Sequence, residues 1–314
     1  MSHAPAVTTV TLNPTIDVGL EVDRLLVDHK MLATSVRREP GGGGVNVARS
    51  LRRLGTDCLA VVGVAGPTGT ELVTLLAAED VRVHEQPMAD VTRESFSLTD
   101  ASSGAQYRVV TPGPRVSSPG PLIAEIIDRC LGCEIVVLSG RLNPGLSAAT
   151  YRLIADGLAG SLVVVDCAPP ALDEVVRGAA ALVKPSRREL AAVVGEALAT
   201  RSDVVAAARS VLAAGEVGAL VVSLGAQGAV LVERDRAAHY FAAPPVTTVV
   251  STVGCGDAMV AGMVRALELG RPLEIAVGFG VAAGTAAATS AGTRLFDPAL
   301  ARALEREMGP PEVV

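Results

Sequence analysis

Two glycines one residue apart, Gly254 and Gly256, precede a run of small apolar residues at positions 258–262. Glycine lets the backbone turn sharply, and the uninterrupted run predicts a helix that begins at this point. The N–H groups of Gly254, Cys255 and Gly256 would then point to one place, where the positive end of the helix dipole also favours an anion. The segment therefore predicts a site that could stabilise a phosphoryl group during its transfer.

Asp257 follows this loop in the first turn of the predicted helix. A carboxylate beside the bound anion could accept the proton of an attacking hydroxyl, because a general base has to lie within hydrogen-bond reach of that proton. An acidic residue in a first helical turn also complements the helix dipole without any catalytic role. The loop alone therefore leaves two interpretations open, a phosphoryl-transfer centre with Asp257 as its base and an ordinary helix N-terminus.

Motifs elsewhere in the chain favour the first interpretation. Residues 254–257 resemble the glycine signature of the ribokinase-like superfamily, and residues 39–49, with four consecutive glycines, resemble the sugar-side motif of the phosphofructokinase B family. Further matching segments follow in family order at residues 11–17, 92–93, 106–108, 184–185, 222–228 and 292–294. The resemblance is strongest to the branch of minor 6-phosphofructokinases, 1-phosphofructokinases and tagatose-6-phosphate kinases. This ordered co-occurrence makes Asp257 the expected catalytic base.

The composition and the order of the elements predict an α/β fold. Hydrophobic residues make up 49% of the 314 residues and aromatic residues only 2%, which suits an aliphatic core between a parallel sheet and helices. A first buried strand is predicted at residues 7–12, with Asp17 following at its exit, and a helix is predicted from residue 46 to residue 54. After the glycine loop, short β-branched runs alternate with helical runs, as in βαβ units. Together with the resemblance, this predicts one ribokinase-like three-layer α/β/α domain over residues 1–314, with a mainly parallel sheet. Ligands should bind beyond the carboxyl ends of its strands.

Four more polar strands are expected outside that sheet, at residues 18–27, 32–38, 93–99 and 105–110. Mixed polar and apolar residues are typical of a small sheet with one solvated face. The resemblance identifies this sheet as a lid over the sugar site, at approximately residues 18–38 and 93–110, and implies a homodimer that forms through the lid. Ordinary edge strands are the alternative interpretation.

Charge and cysteine usage narrow the classes of function. The net charge is -6 and the isoelectric point is near 5.3, which argues against nucleic acid as a partner because phosphate-backbone binding needs a basic surface. The five scattered cysteines and the lack of a recognisable signal peptide predict a reduced, cytoplasmic protein. The uncharged run at residues 275–293 is rich in small residues, and it predicts a closely packed helix rather than a membrane span.

The nucleotide site has to be built without a P-loop, because no Gly-x-x-x-x-Gly-Lys-Ser/Thr segment occurs. The resemblance implies that ATP and Mg²⁺ are held by Lys184, Ser186, Glu189, Ser223, Gly225 and Gly228. Ser186 stands where the family has an asparagine, so the contacts to Mg²⁺ should differ in detail. Positions that could supply oxygen ligands for potassium are Ser251, Val253 and Gly292. The alternative for these three is a loop whose backbone groups bond to one another.

On the sugar side, the resemblance implies contacts from Asp17, Gly42, Gly43, Asn46, Arg93, Arg108, Ser139, Arg141 and Asp257, with Lys30 reaching over the transfer centre from the lid. Arg93 would bind the phosphate that the substrate already carries, since its planar guanidinium matches phosphate oxygens. The chain departs from its relatives at Leu32 and Gly43, where some of them carry a cation, and at Arg141, where minor 6-phosphofructokinases carry serine. We expect Arg141 to replace the missing cation.

These features predict an ATP-dependent kinase for a ketohexose phosphate. Fructose 6-phosphate is the first choice because of the glycines at residues 41–44 and the segment at residues 106–108. Fructose 1-phosphate and tagatose 6-phosphate follow, since residues 11–14 fit those branches as well. A kinase for an unphosphorylated sugar or a nucleoside would leave the arginines without a role, and a non-catalytic sugar-binding protein would not need Asp257.

Overall fold

A ten-stranded sheet is the centre of the fold in the computed structural model, which describes residues 5–290 and 295–314. Its strands lie in the spatial order β14 (Glu312–Val313), β13 (His239–Ala242), β12 (Gly228–Glu233), β11 (Ala219–Ser223), β10 (Leu182–Val183), β9 (Leu162–Asp166), β8 (Ile135–Ser139), β1 (Val7–Thr11), β4 (Cys58–Val64) and β5 (Arg82–Pro87). Neighbours from β11 to β5 are parallel, and β12, β13 and β14 extend one edge as antiparallel strands. Every residue of β1 and β8 is buried, as expected for parallel strands with both faces covered.

Helices cover both faces of this sheet. Those found in the described part of the chain are α1 (Gly43–Leu54), α2 (Gly66–Ala78), α3 (Pro119–Cys130), α4 (Thr150–Asp156), α5 (Ala171–Val175), α6 (Arg187–Val194), α7 (Arg201–Ala214), α8 (Cys255–Glu268), α9 (Leu273–Ala288) and α10 (Pro298–Glu307). The buried residues of α1, α2, α8, α9 and α10 belong to one hydrophobic cluster, and those of α3 to α7 belong to a second. The three-layer α/β/α arrangement agrees with the predicted fold class.

Small residues allow α8 and α9 to pack closely. A Cβ atom at Gly262 would lie 3.0 Å from both the Cα atom of Gly280 and the Cβ atom of Ala283. This contact explains the low content of large side chains in the uncharged run at residues 275–293, most of which forms α9. Within residues 5–290 and 295–314, no helix is long and apolar enough to cross a membrane.

A separate four-stranded sheet, called the lid below, has the order β3 (Ser35–Gly41), β2 (Thr15–Val22), β6 (Arg93–Asp100) and β7 (Gln106–Val110). The predicted strands at residues 18–27 and 32–38 were wrong in their bounds, since residues 23–34 lie outside the strands. That segment is mostly exposed, and it carries several charged residues without apolar alternation. It therefore offers no apolar face that pairing could bury.

Two predicted positions near the start of the chain also need correction. The helix predicted from residue 46 begins at Gly43, because Gly42 serves as its N-cap. Asp17, predicted at the exit of the first strand, lies inside β2, because the chain turns after β1 and starts a new strand at Thr15. The strand β5 escaped prediction because its sequence, RVHEQP, is polar and proline-ended.

The carboxyl ends of β8 to β11 meet at one edge of the large sheet. Ser139 pairs with Asp166 across β8 and β9, and Ser186 bridges to Ser223 beyond the ends of β10 and β11. Lys184 follows β10 directly and lies between these pairs. The topology thus brings together residues that are far apart in sequence, at the edge where parallel sheets bind ligands.

Candidate active site

The predicted anion site is the N-terminus of α8. Gly254 is its N-cap with a φ angle of 80°, a left-handed conformation that favours glycine. The first hydrogen bond of the helix runs from the N–H of Ala258 to the carbonyl of Gly254, at 2.9 Å. The N–H groups of Cys255, Gly256 and Asp257 precede that bond and have no partner within the helix. They can therefore donate to an anion.

Asp257 lies in the first turn of α8, where its Oδ2 atom accepts a hydrogen bond of 2.8 Å from Nδ2 of Asn46 on α1. Burial and, after it, the carboxylate of Asp166 raise the pKa of Asp257 to about 7, whereas Asn46 and Lys184 oppose this shift. A carboxylate with a pKa near the working pH is suited to accept a proton as a general base.

Lys184, which is buried, and Asp166, which is partly buried, form an ion pair beside this loop. The Nζ atom of Lys184 lies 3.1 Å from Oδ1 of Asp166 and 3.4 Å from the place that a Cβ atom would take at Gly256. Burial lowers the pKa of Lys184, but the carboxylates of Asp166, Glu189 and Asp257 outweigh burial and raise it. Sequence reasoning missed Asp166 as a site residue. The signal was its place as the last residue of the buried strand β9.

The glycines before α1 are required by neighbouring protein atoms. A Cβ atom at Gly43 would collide with Oγ of Ser139. Gly42 has a φ angle of 110°, and a Cβ atom there would lie 3.1 Å from the Cα atom of Pro14. Gly43 therefore has no room for a longer side chain such as lysine. Direct contact of these two glycines with a sugar stays a prediction, for which the unpaired N–H groups at the start of α1 are the available donors.

Asn46 connects the first turns of α1 and α8. Its Nδ2 atom donates to Asp257, while its Oδ1 atom is buried and has no hydrogen-bond partner in the described part of the chain. A buried acceptor without a partner costs free energy, and a hydroxyl group of a sugar could satisfy it. The geometry of Asn46 therefore fits its predicted role of binding a substrate hydroxyl beside the base.

Asp17 lies on β2, and its carboxylate occupies the space beside Gly41 on β3 that a side chain would otherwise fill. Burial raises the pKa of Asp17 to about 6, while Arg93 and Arg108 lower it and so limit the rise. The charge of Asp17 also contributes to the raised pKa of Asp257, so the two carboxylates act on the same region. Asp17 can accept hydrogen bonds from sugar hydroxyls there.

Arg93 and Arg141 are two cations at the base of the lid. The Nε and Nη2 atoms of Arg93 donate to the carbonyl of Asn13 at 3.2 and 3.1 Å, which fixes the orientation of its guanidinium. Burial lowers the pKa of Arg93, Asp17 raises it, and the positive charge of Arg141 lowers it. A phosphate dianion would relieve the repulsion between these two guanidinium groups.

A cleft of about 290 Å³ separates the lid from the loop at residues 250–253. Polar side chains of the lid line most of it, among them Asp17, Glu39, Ser97 and Arg108. Lys30 is not among the lining residues, because it lies exposed on the segment between β2 and β3. A single copy of the chain therefore does not bring Lys30 into this cleft, and its predicted catalytic role stays a prediction.

Ser186 and Glu189 begin the helix α6 with a capping box. The N–H of Glu189 donates to Oγ of Ser186 at 3.2 Å, and the N–H of Ser186 donates to Oε2 of Glu189 at 2.8 Å. A carboxylate has further lone pairs after accepting one hydrogen bond, so Glu189 can still bind a cation. Its charge also acts on Lys184, which places the start of α6 at the same edge of the sheet as the ion pair.

The remaining predicted nucleotide residues follow β11. Ser223 ends the strand and is half-buried, and Gly225, with a φ angle of 62°, starts a turn where a Cβ atom would meet open space. A side chain at Gly228 would collide with the carbonyl of Phe241 on β13. Packing between β12 and β13 thus explains Gly228, whereas Gly225 leaves free space beside its Cα atom.

No group of three or more His, Cys, Asp and Glu residues within residues 5–290 and 295–314 could hold a metal ion by itself. A Mg²⁺ ion that is shared with ATP needs only one or two carboxylates in addition to phosphate oxygens. The carboxylates of Asp166 and Glu189, which both act on the charge of Lys184, fit that donor set.

The predicted potassium residues are only partly described. The Oγ atom of Ser251 accepts a hydrogen bond of 3.2 Å from the N–H of Val253, and the carbonyl of Ser251 accepts one of 3.8 Å from the thiol of Cys255. Each of these two bonds joins a side chain to the backbone, so they do not decide between a potassium site and a loop whose backbone groups bond to one another. Gly292 lies outside the described residues.

Comparisons with known proteins agree with these observations. The model of the pfkB family of carbohydrate kinases matches residues 8–300. The chain is 38% identical to the ATP-dependent 6-phosphofructokinase isozyme 2 of Mycobacterium tuberculosis over 293 residues, which cover 92% of this chain and 86% of that protein. It is 33% identical to the 1-phosphofructokinase of Rhodobacter capsulatus over 309 residues, which cover 96% of both.

Solved structures of relatives share the whole fold. The phosphofructokinase-2 of Escherichia coli in complex with potassium has a TM-score of 0.89 at 35% identity, covering 96% of this chain and 99% of that chain. The complex of that enzyme with fructose-6-phosphate has a TM-score of 0.87 at 33% identity, covering 97% and 99%. These matches confirm the ribokinase-like fold class and the predicted kinase activity. The chain belongs to the pfkB family of carbohydrate kinases, enzymes that transfer a phosphoryl group from ATP to a hydroxyl acceptor.

Proposed function

We propose that this protein transfers the γ-phosphoryl group of ATP to a hydroxyl of a ketohexose phosphate, with fructose 6-phosphate as the first choice and fructose 1,6-bisphosphate as the product. The position of Asp257 carries this proposal. Its carboxylate accepts a hydrogen bond from Asn46 and lies in the first turn of α8, next to the N–H groups that have no partner within the helix. The charge of Asp17 also raises the pKa of Asp257. A hydroxyl that is bound by Asn46 and Asp17 would therefore lie beside both the base and the anion site.

The chain's own residues supply the base and the electrostatic stabilisation. As the hydroxyl attacks the γ-phosphorus in line, Asp257 accepts its proton, and a pKa near 7 suits that transfer at neutral pH. The N–H groups of Cys255 and Gly256 and the ammonium of Lys184 stabilise negative charge on the transferring group. A divalent cation, proposed to be Mg²⁺ held by Asp166 and Glu189, neutralises phosphate charge when it is bound.

The phosphate of the acceptor sugar is assigned to Arg93 and Arg141. Neither of the other two departures from the family supplies a cation, because leucine and glycine carry no charge. Leu32 is 82% exposed on the segment before β3, and a side chain at Gly43 would collide with Ser139. Arg141 is exposed and its positive charge lowers the pKa of Arg93, so both guanidinium groups would attract the same anion. This arrangement supports a phosphorylated sugar over a free one.

Release of ADP, measured by a coupled assay over a panel of acceptors, tests the proposal. The panel includes fructose 6-phosphate, fructose 1-phosphate, tagatose 6-phosphate, free fructose and a nucleoside, and we expect the highest kcat/KM with fructose 6-phosphate. The 33% identity to a 1-phosphofructokinase makes fructose 1-phosphate the second candidate. A preference for free fructose would contradict the phosphosugar assignment. Sugar binding without ADP release would indicate a non-catalytic binding protein.

A homodimer through the lid is part of the proposal. The pairs Leu20 with Val36, Leu98 with Tyr107 and Phe96 with Val109 place apolar side chains on one face of the lid. On this face Val36, Tyr107 and Val109 are each more than half exposed, at 59, 59 and 64%. Exposed apolar surface of this kind is typical of a protein interface. Light scattering should give the mass of a dimer, and a fully active monomer at nanomolar concentration would contradict it.

Potassium and a cytoplasmic location complete the proposal. Ser251 and Val253 precede the anion site, where a monovalent cation could order the loop, and equal turnover in sodium and potassium buffers would contradict this role. The cytoplasm is the compartment that holds both ATP and sugar phosphates, and the five cysteines are free thiols. Fractionation of cells that express the protein tests the location.

A further inference from the structure

Arg49 is a buried cation that the proposed reaction does not use. Among residues 5–290 and 295–314, it and Lys184 are the two buried cations, with Arg49 only 3% exposed. Its Nε and Nη2 atoms donate hydrogen bonds of 2.8 and 2.6 Å to the carboxylate of Glu79, the C-cap of α2. Its Nη1 atom donates a third hydrogen bond, of 2.9 Å, to the carbonyl of Pro40. Arg49 therefore ties α1 to both α2 and the end of β3.

The bond to Pro40 reaches the backbone against which the sugar-binding carboxylate lies. Pro40 pairs with Ile16 and is followed by Gly41, where Asp17 occupies the space of the missing side chain. Because Gly41 leads directly into α1, a shift of the Pro40 carbonyl would move both the contact of Asp17 and the start of the helix that carries Asn46. The positions of Asp17 and Asn46, the two proposed acceptors of hydrogen bonds from the sugar, thus both depend on the backbone at residues 40 and 41.

The three hydrogen bonds of Arg49 depend on the shape of an arginine side chain. The planar guanidinium donates in fixed directions to the carboxylate of Glu79 and to the carbonyl of Pro40 together, whereas a lysine ammonium would act as a point charge. Stability alone does not require a charged Arg49 and Glu79, because well-packed apolar residues often replace buried ion pairs without loss of stability. The geometry therefore points to a role in the alignment of the neighbouring loop.

The charge of Arg49 also acts on the sugar subsite. The cations that act on Asp17 include Arg93, Arg108 and Arg49, and the acids that do so are Glu39 and, across the site, Asp257. Burial raises the pKa of Asp17, and Arg49 is one of the groups that oppose this rise, although Arg93 and Arg108 contribute more. Loss of the positive charge at residue 49 would therefore make Asp17 easier to protonate, and a protonated carboxyl would accept hydrogen bonds from hydroxyls less well.

Building on the proposed phosphosugar kinase activity, we propose that Arg49 is a positioning residue for the sugar subsite. It holds the Pro40 carbonyl, and through it the Gly41 to Asp17 contact and the first turn of α1, without touching the substrate. The nucleotide side is built on β9, β10, α6 and α8, which Arg49 does not contact through any of its three hydrogen bonds. Its effect should therefore fall on the sugar and spare ATP.

Steady-state kinetics of Arg49→Met and Arg49→Lys separate the effect of the guanidinium geometry from the effect of the positive charge. For Arg49→Met we expect the KM for fructose 6-phosphate to rise about tenfold while the KM for ATP changes less than about twofold. The acid limb of kcat/KM for the sugar should also move to higher pH, because Asp17 loses a positive neighbour. Arg49→Lys keeps the charge, so its acid limb should stay in place while the KM for the sugar still rises.

Arg82→Met is the matched control, since it removes an arginine from an exposed ion pair with Asp57. It should leave both KM values unchanged. If Arg49→Met does not fold, Arg49→Lys and Glu79→Gln test the inference instead. Each perturbs the hydrogen bonds of Arg49 while keeping a positive charge at residue 49, so each should raise the KM for the sugar alone. An unchanged KM for the sugar, or equal increases for sugar and ATP, would overturn the inference. A wild-type enzyme inactive on every phosphosugar would instead overturn the proposed function.

Discussion

The two halves of the candidate site differ in how firmly the fold holds them. At the transfer half, Asp257, Asp166 and Lys184 are enclosed by elements of the large sheet and its helices, and they bond to one another or to Asn46. At the sugar-phosphate half, Arg108 and Arg141 are exposed, and they extend from the lid and from the loop after β8. Core elements therefore position the residues of the transfer half, whereas surface segments position Arg108 and Arg141 in the sugar-phosphate half.

This difference assigns different tasks to the two halves. Buried, pre-oriented charges suit the chemical step, because they stabilise a transition state without reorganising at the moment of reaction. Exposed residues at a rim can change from one relative to another without disturbing the core, and this is where Leu32 and Arg141 depart from the family pattern. We therefore expect changes in the core half to alter kcat and changes at the rim to alter the KM for the sugar.

The largest effect should come from Asp257→Asn. The substitution removes the base but keeps the N–H groups of α8 and an amide that can still face Asn46. General-base contributions are about 10²–10⁴-fold in rate, so kcat should fall by that factor while ATP binding persists. Rapid-mix kinetics and a nucleotide-binding titration measure the two quantities separately.

Asp235→Asn is a suitable control, because Asp235 is exposed in a turn with a φ angle of 59° that asparagine also tolerates. It should leave kcat unchanged. An Asp257→Asn enzyme that retained more than about a tenth of the wild-type rate would assign the base to another residue, and it would remove the main contrast between the two halves.

A smaller effect, on the other half, should come from Arg141→Ser. Hydrogen bonds to charged groups contribute about 1.5–3 kcal/mol, so losing one cation should raise the KM for the phosphosugar about tenfold or more. The KM for ATP should stay nearly unchanged, and the preference for phosphosugar over free sugar should shrink. Arg129→Ser, at an exposed position on α3, is the control. An unchanged KM for the phosphosugar would make Arg141 an ordinary surface residue.

The same contrast explains what could be predicted from the sequence. The α8 loop, the alternating strands and helices and the lid all have local signals, namely glycine pairs, β-branched runs and polar alternation. Asp166 has a weak local signal, and only the parallel order of β8 to β11 shows that it meets Lys184. Arg49 has none, because its partners Glu79 and Pro40 are known only when α1 packs against α2 and β3.

Contacts with neighbouring elements also explain two further points on which the structure adds to or differs from the sequence-based expectations. Pro14 and Ser139 already require glycine at residues 42 and 43, and the contact of these two residues with a sugar stays a prediction. Asp17 was expected at a strand exit, where acidic ligands often lie in α/β folds, but the chain had entered the lid by that point. A motif therefore identifies residues that act together, whereas the neighbouring strands decide what each residue contacts.

The smallest expected effect concerns stability, and it contrasts the halves without any substrate. The pKa of Asp257 is about 7 in the folded protein, against 3.8 for an unperturbed group, so between these values the folded state binds the proton more tightly than the unfolded state. Stability from this group is therefore present at low pH and is lost as pH rises towards 7. Asn carries no charge, so it avoids the loss.

Asp257→Asn should accordingly melt higher than the wild type at pH 8, on the order of a few degrees, and this advantage should shrink as pH falls towards 5. Arg141→Ser, at an exposed position, should change the melting temperature little at either pH. Thermal unfolding of the three ligand-free proteins across this range measures both effects. A pH-independent difference for Asp257→Asn would mean that Asp257 is ionised in the folded enzyme throughout, and that the core half does not hold a base with a raised pKa.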